Sequence, residues 1–141
     1  MSLQSLEVVR PDDVAASVRL FIQMYGDRGS EPTGERVDDR LLGMISVGYQ
    51  LTELRRDGLV IGFALWIDLY DYVFIRSFGI DIAHRSDGLG RQFFEKLTAS
   101  VFPPRPQVRV DVLDAGPHGF WKKMGFQPMT TGLWRSNKGA A

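Results

Sequence analysis

The 141-residue chain has no cysteine, which excludes disulfides, thiolate metal sites and a cysteine nucleophile. Its two histidines, His84 and His118, are too few for a histidine-built metal centre. Net charge is also missing. Seventeen basic side chains balance 17 acidic ones, whereas nucleic-acid binders usually carry a basic excess. No apolar run approaches the ~20 residues of a membrane-spanning helix, and Met1 to Arg10 lacks the hydrophobic stretch of a signal peptide. No repeat, linker or low-complexity tract interrupts the sequence. The expectation is a cytoplasmic protein with no metal, no nucleic-acid partner and no membrane partner.

What is present is ordinary for a folded domain: 44% hydrophobic and 24% charged residues. The length suits one domain, residues 1–141, able to bury roughly two-thirds of its unfolded surface. Ser5 to Val9 reads as a first strand. Pro11-Asp12-Asp13 opens a helix, since acids suit its positive end. Val14, Val18, Phe21, Ile22 and Tyr25 fall on one face of that helix. Gly26 to Gly34 is a loop, and Glu35 to about Val47 a second helix with Val37, Leu41, Met44 and Ile45 apolar. Tyr49 to Leu54 is a strand, Arg56-Asp57-Gly58 a hairpin turn and Leu59 to Leu69 a long strand. After the turn at Tyr70-Asp71, Tyr72 to Ile82 forms the next strand. A later helix carries Leu89, Phe93, Phe94, Leu97 and Val101 on one face, a core stripe. Pro103-Pro104-Arg105-Pro106 ends it. Gln107 to Leu113 is a strand, His118 to Met124 a short helix closed by Gly125, and Phe126 to Arg135 the last strand or two. The order predicts a mixed α/β sheet domain.

Two segments carry chemistry. The first is His84-Arg85-Ser86-Asp87-Gly88-Leu89-Gly90-Arg91, which lies after a strand and opens a helix. Such a junction is an anion cradle, because N–H groups of a first helical turn lack partners in their own helix. Gly88 and Gly90 let the backbone approach a diphosphate without a Cβ in the way. The amides from Arg85 to Arg91 would point at it, and Arg91 would add charge. Asp87 is the expected N-cap. The second segment is Asp114-Ala115-Gly116-Pro117-His118-Gly119-Phe120-Trp121-Lys122-Lys123-Met124-Gly125-Phe126.

Together the two segments resemble the acetyl-CoA-dependent N-acyltransferase superfamily (GNAT). Arg85-Ser86-Asp87-Gly88-Leu89-Gly90 matches its Arg/Gln-x-x-Gly-x-Gly/Ala pattern. Asp114, Pro117, Phe120-Trp121 and Gly125-Phe126 occupy the places of its Asn, Ala, aliphatic-Tyr and Gly-Phe without insertion. The run Leu59 to Trp66 looks like its third strand. The resemblance implies an α/β (α+β type) fold, a mixed and mostly antiparallel sheet of six to seven strands flanked by about four helices. It implies acetyl-CoA, or another acyl-CoA, as co-substrate. Coenzyme contacts are then expected at Ile80, Asp81, Ile82, Arg85, Ser86, Asp87, Gly88, Leu89, Gly90, Arg91, Asp114, Phe120 and Trp121, with the backbone of Ile80 and Ile82 pairing with the pantetheine arm like an added strand.

The catalytic positions depart from the family pattern. Trp121 stands where members often place a tyrosine acid, and an indole N–H is a donor but no proton source. Arg76 and Arg109 stand in the two usual places of a glutamate base, and arginine stays protonated. They either pair with neighbours such as Asp111 or Asp81, or recognise an anionic acceptor. A base must come from water or from Asp81, His84, Asp111, Asp114, Asp68 or Tyr49; histidine is the type that ordinarily titrates near neutrality. The catalytic candidates are Asp81, Asp111, Asp114 and Trp121. The expected activity is acetyl transfer to a primary amine of a small molecule or protein, with a non-catalytic acyl-CoA sensor as the alternative. A homodimer is open, with Trp134 a plausible contact. No Gly-Lys-Ser/Thr follows the glycine loop, so a P-loop is excluded.

Overall fold

The computed structural model describes residues 6–26, 34–111, 118–129 and 132–136. Strand β1 (Leu6–Val9) leads to helices α1 (Ala15–Gly26) and α2 (Gly34–Ser46). The expected acidic cap is Asp13, whose Oδ1 accepts from the Ala15 N–H at 3.0 Å. Strands β2 (Gln50–Arg56) and β3 (Leu59–Asp68) follow. They turn at Asp57 and Gly58 with φ of 52° and 83°, the left-handed pair that matches strand twist in a tight hairpin. Strand β4 (Val73–Ile80) runs into a 3₁₀ turn (Ile82–Asp87) and helix α3 (Leu89–Lys96), which widens into a π-helical turn (Leu97–Val101). Then come β5 (Gln107–Asp111), α4 (His118–Lys123), β6 (Gln127–Met129) and β7 (Gly132–Ser136).

The strands form one seven-stranded sheet in the order β1-β2-β3-β4-β5-β7-β6. Among the described residues its one parallel pair is β4–β5; the other neighbours are antiparallel. This is the mixed sheet that the element order implied, mostly antiparallel and with four helices as the resemblance implied. Helices cover both faces. Leu51, Phe63 and Leu65 pack against Val14, Leu20 and Phe21 of the α1 region and Val37 and Leu41 of α2. On the opposite face Val73, Ile75, Val108 and Val110 pack against Leu89, Phe93, Phe94 and Leu97, the stripe read from periodicity. That face closes because each of these side chains is apolar and repeats at the spacing of its own element.

One irregularity positions everything that follows. Leu65 pairs with Ser77 while Trp66 pairs with Ile75, so Arg76 is an extra residue in β4, a β-bulge. A bulge resets the side-chain alternation. Val73 and Ile75 precede it, Phe78 and Ile80 follow it, and all four lie on the α3 face. β4 ends two residues before the expected Ile82, because Asp81 starts the 3₁₀ turn: its Oδ1 accepts from the Ala83 N–H at 3.1 Å.

Candidate active site

β4 and β5 pair through Val73–Val108, Phe74–Arg109 and Ile75–Val110. Past that rung no β4–β5 pair forms among the described residues. β4 continues to Ile80 against β3 through Phe63–Gly79 and Gly62–Ile80, and β5 continues to Asp111 against Gly132 of β7. The strands therefore part at the bulge. The Asp81 N–H donates to the Ile61 carbonyl at 2.8 Å. By the alternation of an antiparallel ladder, the N–H and C=O of Ile80 then face the diverging side. That is the edge an added strand would use.

Part of the backbone at Ile80 and Ile82 is already engaged within the chain. The Ile80 carbonyl already accepts from Arg85 Nε at 2.9 Å, and the Ile82 N–H already donates to Gln23 Oε1 at 2.9 Å. Arg85 thus braces the end of β4. The Ile80 N–H remains as the donor turned toward the gap. Nothing in the sequence ties Gln23, on α1, to a loop 59 positions away.

At the glycine loop, Gly88 has φ 72° and ψ 15° and is the N-cap of α3, with no side-chain cap. Asp87, the expected cap, ends the preceding 3₁₀ turn instead. The first intrahelical bond runs from the Gln92 N–H to the Gly88 carbonyl at 3.2 Å. The amides of Leu89, Gly90 and Arg91 precede it and have no partner within α3. A Cβ on Gly88 would meet nothing within 4 Å, so open space lies beside this end. An uncapped, left-handed, glycine-opened helix start next to an open strand edge fits a diphosphate-bearing coenzyme.

The two glycines differ in their surroundings. A Cβ on Gly90 would lie 2.8 Å from Phe120 Cε1. Gly90 is buried where α4 packs, so a side chain there would collide with Phe120. Leu89 is fully buried and can offer only its backbone. Ser86 belongs to the 3₁₀ turn. Arg91 is exposed and reaches Glu95 at 3.5 Å across one helical turn, a surface pair of small energetic weight.

Trp121 is 2% exposed and sits in an aromatic cluster. Its ring centroid is 5.1 Å from Phe78, 5.8 Å from Phe94, 4.9 Å from Phe120 and 5.0 Å from Phe126. It is core, the packing role that its position on α4 allowed. Phe120 stacks on Phe78 at 5.8 Å and covers Gly90, beside the loop.

The acidic candidates scatter. Asp68 lies at the far end of β3, where Arg105 grips both its oxygens at 2.7 Å. That hydrogen-bonded guanidinium holds its carboxyl below the usual carboxylate range. Asp81 caps the 3₁₀ turn and lies 3.6 Å from Arg19. His84 Nδ1 is buried and has no hydrogen-bond partner among the described residues. Tyr49 packs at the edge of the α1–α2 core. Asp114 lies outside the described residues. Asp111 stands at the parting of β4 and β5, with a side chain 14% exposed, 3.6 Å from Arg76 in the bulge.

The expected Arg76–Asp111 pair therefore forms. Arg109 pairs with neither aspartate. Its guanidinium lies 3.8 Å from the centroid of the Tyr72 ring, and its Nε donates to Gln107 Oε1 at 3.1 Å. The Gln107 contact had a signal in the sequence, since strand residues two apart share a face. Tyr72 had none, because it meets Arg109 only once β4 and β5 are neighbours with Phe74 opposite Arg109.

No protein-family model matches this chain, and no curated protein matches its sequence. Solved structures do match in fold. An acetyltransferase from Thermus thermophilus superposes with a TM-score of 0.77 at 20% identity, over 96% of this chain and 99% of that one. An acetyltransferase of the GNAT family from Staphylococcus aureus gives 0.70 at 9% identity, over 95% and 100%. The structure of yncA from Salmonella typhimurium with its cofactor acetyl-CoA gives 0.69 at 15% identity, over 99% and 97%. The fold is that of the GNAT acetyltransferases.

Proposed function

We propose that the chain moves an acetyl group from acetyl-CoA to a primary amine. One observation carries the reading: the edge of β4 opens where β5 leaves it and leads directly to the uncapped start of α3. A strand-like arm and a diphosphate are the two parts of coenzyme A that such a continuous surface would hold. That solved structures of this fold are acetyltransferases supports the reaction class. When bound, the coenzyme would supply a thioester whose C–S bond breaks as the amine's C–N bond forms, the thiol taking a proton and the amine losing one.

This chain's part is binding and orientation. The Ile80 N–H would hydrogen-bond the arm. The amides of Gly90 and Arg91 would receive the diphosphate, aided by the helix dipole. Asp111 is the acidic side chain at the parting of the strands and would receive the acceptor's nitrogen. Fixing two reactants in line can itself supply much of a rate enhancement.

A second reading, a non-catalytic acyl-CoA sensor, draws on the burial of Trp121 where an acid would act and on the arginines in both base positions. Calorimetric titration with acetyl-CoA, followed by thiol release across a panel of amines, separates the two. Heat of binding with turnover supports transfer, and binding without turnover on any amine supports the sensor. A folded sample that gives no heat with CoA or its thioesters refutes both.

A further inference from the structure

Beyond the reaction class, the site's own side chains restrict the acceptor. We infer that the acceptor is a small amine carrying an oxyacid anion, a carboxylate or a phosphate, a few bonds from its nitrogen. Arg109 would take the anion and Asp111 the ammonium. This rests on the transfer reading above and deepens it.

The placement follows from strand parity. Val108 and Val110 are buried against the α3 face, so Gln107, Arg109 and Asp111 project from the opposite face. Arg109 and Asp111 are then neighbours on it, with Cα atoms about 6.6 Å apart at the ordinary rise of a strand. The Arg109 guanidinium is fixed on two sides. Its flat face rests on Tyr72, and Nε is tied to Gln107. Its two Nη groups have no partner among the described residues. Phe74 of β4 and Trp134 of β7 stand on either side of Arg109 in the same sheet row, and both are half-buried. No carboxylate within the described residues pairs with this cation.

A guanidinium held in place, with Nη donors that have no partner among the described residues, is a ready oxyanion receptor, since little side-chain freedom remains to be lost on binding. The fork geometry suits carboxylate and phosphate alike. Beside it, Asp111 offers a negative group to an ammonium, and Arg76 lies 3.6 Å from that carboxylate. One cation and one anion on a shared face, next to where the thioester would lie, match a zwitterionic acceptor better than a simple amine or a polyamine.

The test is a set of calorimetric titrations of the whole protein, with and without CoA, using matched ligands. Phenylalanine is compared with 2-phenylethylamine, and O-phosphoethanolamine with ethanolamine. In at least one pair the anionic member should bind about tenfold tighter or more, and the pair that shows it identifies the anion. Arg109→Gln should erase that preference and Arg109→Lys should restore it only in part. Each variant is read only where its far-ultraviolet circular dichroism and melting temperature match the wild type, so that a lost preference is not a lost fold. Equal binding within both pairs, or a preference that survives Arg109→Gln, overturns the inference. Anion-dependent binding without thiol release supports it while refuting the transfer reading; thiol release with no anion preference does the reverse.

Discussion

Replacing Trp121 by alanine tests whether this side chain is structural or chemical. It is 2% exposed and touches four aromatic rings. A buried tryptophan removes about 200 Å² from water, and about 25 cal/mol per Å² gives roughly 5 kcal/mol. Measured aromatic-to-alanine losses of about 3–5 kcal/mol agree, and the ring contacts are already inside that figure. A domain of this size is stable by about 5–15 kcal/mol, so the variant should lose a third or more of its margin. The melting temperature should fall by roughly 10–15 °C. Urea unfolding followed by far-ultraviolet circular dichroism reads this without relying on the lost fluorophore. Trp121→Phe keeps most of the volume and should cost about 1–1.5 kcal/mol, with acetyl-CoA binding and thiol release retained. If Trp121→Ala cost less than about 1 kcal/mol, the packing argument would fail. If Trp121→Phe unfolded normally yet abolished turnover, the indole would have a chemical role that its burial conceals.

The two loop glycines should respond differently. Gly88→Ala strains a left-handed residue in open space and should cost about 1–2 kcal/mol, with no rescue from neighbours. Gly90→Ala pushes Phe120 aside and should cost about 1–3 kcal/mol; Phe120→Leu should recover part of it, which a double-mutant cycle in urea would measure. Beneath α1, Glu53 is 1% exposed and accepts from Ser17 Oγ at 3.0 Å and Arg55 Nη2 at 3.2 Å. Ser17→Ala leaves a buried carboxylate oxygen short of a donor and should lower stability by about 1–3 kcal/mol. Asp68 has its pKa lowered by Arg105. Its contribution is therefore present above the unfolded value of about 3.9 and is lost as pH falls through the depressed folded value. The stability gap between the wild type and Asp68→Asn should shrink as pH is lowered from 6 to about 3; a gap unchanged over that range would show that the pair contributes nothing through charge.

Most of the fold was legible because each element announces itself locally. The α3 stripe, the Asp13 cap, the Asp57-Gly58 turn and the Gly125 stop with φ 91° depend on neighbours in sequence, and all stand where periodicity and turn chemistry put them. The glycine loop was legible as a helix start for the same reason. Its details were not. Asp87 looks like a cap by residue type, yet the 3₁₀ turn begun at Asp81 carries the chain one residue further and leaves Gly88 at the helix entry. Gly90 reads as a phosphate-approach glycine, and only the fold shows that a ring from α4 also leaves no room for a side chain there.

The bulge at Arg76 marks the boundary most clearly. Tyr72 to Ile82 reads as one uninterrupted strand, because an extra residue in β4 is visible only against its partner β3. The sequence alone determined which segments are helical or extended, where they turn, and that a glycine loop opens α3. Tertiary structure alone decided that β4 and β5 part after Ile75, that Arg76 meets Asp111, that Trp121 is core, and that Arg109 is held by Tyr72. The physical reason is range: capping, turns and amphipathic spacing act within a few residues, whereas a pairing register and a side chain's neighbours exist only after distant strands have met.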